Sequence, residues 1–255
     1  MKLSNNLSID NMMNAYKRRG YYGQQLDVIR QGLERGFDVS IYDDKRFDHR
    51  QMSEILAGLT RNVDVSIYAN LKYSFTLMRY ILQALSYSVD RDKLIHYLEQ
   101  PQYDDYQLNQ ILMGLCDDLD THKFDSHSYD SRCMDEIRTS LVNGVDITQY
   151  VDNTFNSQQM REIRIGLESG SDVSIYANNK FNSLQMCQLR LGLAKGIDAS
   201  QYALTRLSNS EMQIVRDALE KGAKADLLLK EGLRYDEMLD IHNKIVSDRS
   251  AKRGV

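Results

Sequence analysis

A segment that opens at Phe155 and reads Phe-Asn-Ser-Gln-Gln-Met-Arg-Glu-Ile-Arg-Ile-Gly-Leu returns 26 residues later, from Phe181, as Phe-Asn-Ser-Leu-Gln-Met-Cys-Gln-Leu-Arg-Leu-Gly-Leu. The same frame starts units at Tyr21, Phe47, Tyr73, Tyr103, Tyr129, Phe155, Phe181 and Leu207, with a partial unit from Leu233. Every step is 26 residues except one of 30, between Tyr73 and Tyr103. A brick this small cannot bury its own apolar side, so neighbours must stack and share a core.

The columns of the frame describe a helix. Five residues into the units stand Met52, Met78, Met134, Met160 and Met186, then Ile55, Ile81, Ile137, Ile163 and Leu189, then Leu59, Leu85, Leu141, Leu167 and Leu193. Spacing of i, i+3, i+7 is one stripe of an α-helix. The residue before the last leucine is always small: Gly32, Gly58, Ala84, Gly114, Ser140, Gly166, Gly192, Ala218. Glycine inside a helix costs about 1 kcal/mol relative to alanine, which implies that a neighbouring backbone approaches there. Gly36, Asn62, Gly144, Gly170, Gly196 and Gly222 then suit the left-handed residue that ends a helix.

Two residues on stands Asp38, Asp64, Asp90, Asp120, Asp146, Asp172 or Asp198, placed to cap a second, short helix of roughly six residues. Its inner face carries Tyr42, Tyr68, Leu94, Phe124, Tyr150, Tyr176 and Tyr202. The four extra residues of the long unit lengthen the second helix after Asp90. The expected fold is all-α: a single α-solenoid of about eight two-helix repeats over 21–232. Residues 1–20 form an N-terminal cap; 233–255 form a C-terminal cap helix with a tail that frays from Ser247.

Composition agrees. The chain has one proline and no tryptophan, and is rich in good helix formers. Its 32 Lys and Arg face 36 Asp and Glu, a mixed charge without a basic footprint for nucleic acid. No apolar run reaches the roughly 18 residues of a membrane span, and the opening Met1-Lys2-Leu3-Ser4-Asn5-Asn6 lacks a signal-peptide core. Three cysteines in unrelated settings argue against a disulfide scaffold and for a reducing compartment. A cytoplasmic location is expected.

The run from Gln159 to Ala177, Gln-Met-Arg-Glu-Ile-Arg-Ile-Gly-Leu-Glu-Ser-Gly-Ser-Asp-Val-Ser-Ile-Tyr-Ala, resembles a tandem helical repeat of proteins from gut Firmicutes, often carried on conjugative elements or phages. The resemblance extends from about Tyr21 to Glu231. It implies an accessory or host-interaction protein of a mobile element, including an inhibitor that grips a host defence protein. The units from Tyr73 to Tyr129 depart most from the pattern.

Few residues point to chemistry. Arg138, Arg164, Arg190 and Arg216 form a ladder at 26-residue spacing. One reading pairs each with its own unit's aspartate eight residues on (Arg138 with Asp146, Arg164 with Asp172, Arg190 with Asp198), and Arg30 with Asp38; Arg216 lacks that partner because Lys224 stands there. The other makes the ladder a row of guanidinium forks for a partner's carboxylates or phosphates, with Lys180 and Lys195 nearby. Cys116, His122, His127 and Cys133 are zinc-ligand types, but their spacing fits no zinc-finger pattern and the frame scatters them. Cys187 has no histidine at the matching position of a neighbouring unit to act as its base. Asp104-Asp105 and Asp117-Asp118 suit loops and caps. Tyr16, Tyr22, Tyr80, Tyr87, Tyr97 and Tyr106 fall outside the two aromatic columns and are candidate contacts if exposed.

No phosphate loop, triad or nucleotide fingerprint appears. The expectation is a non-catalytic macromolecule-binding repeat protein without cofactor or metal. Its partner is another protein or, alternatively, a nucleic acid held by the arginine ladder. Its oligomeric state is left open.

Overall fold

A computed structural model describes the backbone of residues 2–253 and the side chains of 9–247. Among the described residues every regular element is helical, in the order α1 (Lys2–Arg18), α2 (Gly23–Glu34), α3 (His49–Thr60), α4 (Phe75–Ser86), α5 (Arg91–Leu98), α6 (Asp105–Cys116), α7 (Ser131–Val142), α8 (Ser157–Glu168), α9 (Ser183–Ala194), α10 (Asn209–Glu220) and α11 (Tyr235–Arg253). The long helix of each repeat, α2 to α4 and α6 to α10, has 12 residues, and successive ones pack on each other from α2 through α3 and α4 to α6, and from α7 through α8 and α9 to α10. The described residues fall into two compact units that divide between His127 and Ser128. α11 stays helical to Arg253, through the segment expected to fray from Ser247.

Helix starts and stops follow the sequence signals. Asp48, Asp104, Asn156, Asn182 and Ser208 each cap a helix and in return donate their own amide N–H to the side chain three positions on. The predicted C′ residues are left-handed, with φ of 76° at Gly36 and 56° at Asn62; Ser88 and Asp118 take the same conformation without being glycine. The second helix is shorter than expected. In seven repeats it is a 3-10 turn, such as Val65–Ile67, Val173–Ile175 or Ala199–Gln201, and only the 30-residue repeat makes an α-helix there, α5. The predicted aspartates cap these turns: Asp64 accepts from the Ser66 amide at 3.1 Å, Asp172 from Ser174 at 3.0 Å and Asp198 from Ser200 at 3.1 Å.

The small-residue column receives a side chain, not the backbone that its glycines suggested. The ring ten residues on, in the turn of the same repeat, fills the notch. A Cβ on Gly166 would overlap the Tyr176 hydroxyl and lie 2.8 Å from Val173 Cγ1; one on Gly114 would lie 2.5 Å from Phe124 Cζ. Three of the inserted hydroxyls donate to helix carbonyls, Tyr68 to Glu54 at 3.0 Å, Tyr176 to Glu162 at 3.1 Å and Tyr202 to Gln188 at 3.1 Å, whereas that of Tyr42 is buried without a partner among the described residues. The two columns vary together. Gly32, Gly58, Gly166 and Gly192 take tyrosines and Gly114 a phenylalanine, whereas ten residues after Ala84 and Ala218 stand the smaller Leu94 and Leu228; all of these side chains are buried. Ser140 faces Tyr150, the one tyrosine of the column that stays half-exposed.

A glutamine column joins neighbours. Gln159 accepts from the Asn156 amide at 2.9 Å and donates to the carbonyls of Asn179 (3.1 Å) and Phe181 (2.7 Å) in the next repeat. Gln185 does the same with Asn182, Thr205 and Leu207, at 2.8, 3.3 and 2.6 Å. Gln25 and Gln51 reach Phe47 (2.6 Å) and Tyr73 (2.8 Å) in their own successors. One side chain thus closes its helix and binds the following loop.

Two outcomes are expected. Gly166→Ala overfills the notch and lowers stability by about 1–3 kcal/mol in urea denaturation, while adding Tyr176→Leu recovers part of that loss, as the Ala84–Leu94 and Ala218–Leu228 pairs imply; strictly additive losses would contradict the fit. The second outcome concerns pH. The serine hydroxyl two residues on is the main influence holding the carboxyls of Asp64, Asp172 and Asp198 below the ordinary aspartate range. A depressed folded-state value means that the stabilisation is complete above that range and is lost as pH falls through the lowered value. Denaturation midpoints therefore drop as pH falls below about 4, and Asp172→Asn, which keeps an amide cap, removes part of that slope.

Candidate partner-binding surfaces

Three of the four ladder arginines, Arg164, Arg190 and Arg216, face the preceding repeat. Arg164 on α8 places Nε 2.8 Å from Glu136 on α7 and Nη1 2.7 Å from Glu168. Arg190 on α9 reaches Glu162 on α8 at 2.7 Å. Arg216 on α10 donates to Gln188 on α9 and pairs with Asp217 at 2.8 Å, so it has the acidic partner its column seemed to lack. Arg138 pairs with Asp135 at 2.8 Å. The expected pairs of Arg164 with Asp172 and Arg190 with Asp198 give way because those aspartates cap their turns. Arg30 likewise bonds to Asp10 at 3.1 Å, leaving Asp38 on the Ser40 amide at 2.9 Å.

These guanidiniums are not presented to solvent. The side chains of Arg164, Arg190 and Arg216 are 14%, 17% and 10% exposed. The residue that receives each arginine stands two positions before the preceding unit's own ladder position. Where that residue is Glu136, Glu162 or Gln188 the next repeat carries arginine; where it is Val28 or Tyr80 the next repeat carries Leu56 or Leu112. Glu54 faces Leu82 in the same register and pairs instead with Arg79, at 2.9 Å. Lys195 pairs with Glu220 at 2.6 Å.

The cysteines and histidines do not assemble. Cys133 is buried in the glutamine column, its Sγ 3.7 Å from the Phe155 carbonyl, and burial pushes its thiol up to about 12. Burial also raises the thiols of Cys116 and Cys187. His122 is exposed, with Nδ1 3.2 Å from Asp125, and His127 is exposed on its loop. Among the described residues no three His, Cys, Asp or Glu converge as a metal site.

The long repeat carries an α-helix where the other described repeats have a 3-10 turn. α5 carries Tyr97 inward, where its hydroxyl lies 2.8 Å from both Thr121 Oγ1 and Asp125 Oδ2, tying α5 to the turn Thr121–Lys123. Burial pushes the Tyr97 hydroxyl up to about 12. Between α5 and that turn opens a cleft of about 440 Å³ with a floor of Tyr97, Leu115 and Leu119. Asp92, Lys93 and His96 form one rim, and Asp120 and His122 the other. The sequence signal for this place is an absence: from 94 to 122 there is no Lys or Arg, against Glu99, Asp104, Asp105, Asp117, Asp118 and Asp120. A groove of about 560 Å³ in the second unit, between Asp198 and Lys224, has walls of alternating charge.

The six tyrosines outside the columns divide. Tyr22, Tyr87 and Tyr106 are 62%, 66% and 62% exposed, whereas Tyr97 is buried and Tyr16 packs edge-on against Tyr21 at 5.4 Å. No helix among the described residues is long and apolar enough to cross a membrane. Comparison with protein-family models, with curated proteins and with solved structures finds no match to the chain.

A structural ladder predicts coupling between repeats. A double-mutant cycle of Glu136→Ala and Arg164→Ala is expected to give about 1 kcal/mol of interaction energy, the upper range for paired surface charges because both are mostly covered. A coupling near zero would free Arg164 for another role.

Proposed function

We propose that this chain is a non-catalytic repeat protein that binds another protein. The observation that carries the reading is a division of labour between repeated and unrepeated positions. The repeated polar side chains (the glutamine column, the capping aspartates and the arginine ladder) are engaged within the array, whereas the exposed tyrosines Tyr22, Tyr87 and Tyr106 and the cleft beside α5 lie where the repeat pattern is broken. Exposed aromatic side chains give large contact area at little entropic cost and are enriched in protein interfaces.

Nucleic-acid binding is the weaker reading. Its cationic row, Arg138, Arg164, Arg190 and Arg216, has carboxylate or amide partners within the chain, and the acidic stretch from 94 to 122 repels a phosphate backbone. No catalytic role is proposed for the thiols, which burial raises, or for Tyr97, which is held by two hydrogen bonds. The resemblance to repeat proteins of mobile elements and phages puts a host protein, a defence protein among them, first among the partners to seek.

Affinity capture on the immobilised chain, with nuclease treatment and a high-salt wash, tests the reading. A protein retained through both treatments is the expected result. Recovery of nucleic acid alone, with binding that falls steeply as salt rises, would overturn it.

A further inference from the structure

We propose that the cleft between α5 and the turn Thr121–Lys123 receives a lysine or arginine side chain from a basic segment of the partner protein. The proposal rests on the protein-binding reading and adds the chemistry of what is bound.

The cleft presents two unlike surfaces in the order such a side chain needs. Tyr97, Leu115 and Leu119 offer an apolar floor for a methylene stem, and Asp92 and Asp120 stand on opposite rims for the cationic head. Its volume of about 440 Å³ accommodates one long side chain and the backbone that presents it.

Electrostatics beyond the rim favours the same ligand. α6 ends at Cys116 beside the floor residues Leu115 and Leu119, so the negative end of its dipole adds to Asp117, Asp118 and Asp120. Lys93 is the one lysine or arginine of the lining, and none follows it before Lys123. An anionic ligand would meet one lysine against two aspartates. An uncharged apolar side chain would have no use for the rim. The four extra residues of the long repeat turn a 3-10 segment into α5 and so supply Asp92 and Tyr97, whereas the groove at the matching register of the second unit has Lys224 where this cleft has Asp120.

The test is an NMR titration of the full chain with three probes: a synthetic hexapeptide of alternating leucine and arginine, the same peptide with citrulline for arginine, and agmatine alone. The arginine peptide is expected to shift the amides of Asp92, His96, Thr121 and His122. The citrulline peptide should bind about five- to tenfold more weakly, as should the arginine peptide on the Asp92→Asn, Asp120→Asn double variant. Asparagine at 120 keeps an oxygen for the His122 amide, which Asp120 caps at 3.2 Å, so this variant retains the turn. Equal binding of the arginine and citrulline peptides, shifts confined to other repeats, or agmatine binding as tightly as the peptide would each overturn the proposal. A captured protein whose binding ignores the double variant would also overturn it while leaving the protein-binding reading in place; capture of no protein would remove that reading itself.

Discussion

Five repeats, those with Gly32, Gly58, Gly114, Gly166 and Gly192, are each closed by one aromatic side chain seated in a notch. The notch exists because the helix carries glycine where a larger residue would fill it, and the occupant comes from the turn ten residues on. Tyr176 against Gly166 shows the full arrangement: a buried ring, no room for a Cβ, and a hydroxyl donating to the Glu162 carbonyl at 3.1 Å. A turn as short as Val173–Ile175 has no independent stability. Held by its ring at one end and capped by Asp172 at the other, it is fixed against its own helix α8.

From that closure the links between repeats follow. Glu162 is a junction: its carbonyl takes the ring hydroxyl of its own repeat and its carboxylate takes Arg190 of the next. Gln188 repeats the pattern with Tyr202 and Arg216. Gln159 and Gln185 join each helix start to the following loop. The side chains of Gln159, Gln185, Arg164 and Arg190 find their partners across the joints, and this makes stacking specific as well as favourable. The same economy leaves recognition to positions that do not repeat.

Much of this was legible from spacing. The Met–Ile–Leu stripe, the left-handed residues from Gly36 to Gly222 and the capping aspartates are local features, and sequence distance is a sound guide within one helix or one turn. The contents of the notch were not legible, because periodicity shows that something approaches Gly166 without showing whether it is backbone or ring. The partners of the ladder were misread for a related reason. Arg164 and Asp172 are eight positions apart in sequence, yet Glu136, 28 positions back, is the neighbour across the joint. The cleft beside α5 was marked only by its 30-residue spacing and by the missing basic residues; its floor comes from α5 and α6 together, which no single column displays.

Native-state hydrogen exchange on the intact chain tests most directly whether a repeat is one closed piece. If the ring in its notch holds turn and helix together, the amides of Tyr176 and Ala177, bonded to the Val173 carbonyl at 3.0 and 2.8 Å, will open with the same free energy as those in the middle of α8. Fast exchange of these turn amides while α8 stays protected would show that the turns are loosely held and that something else keeps the repeats in register.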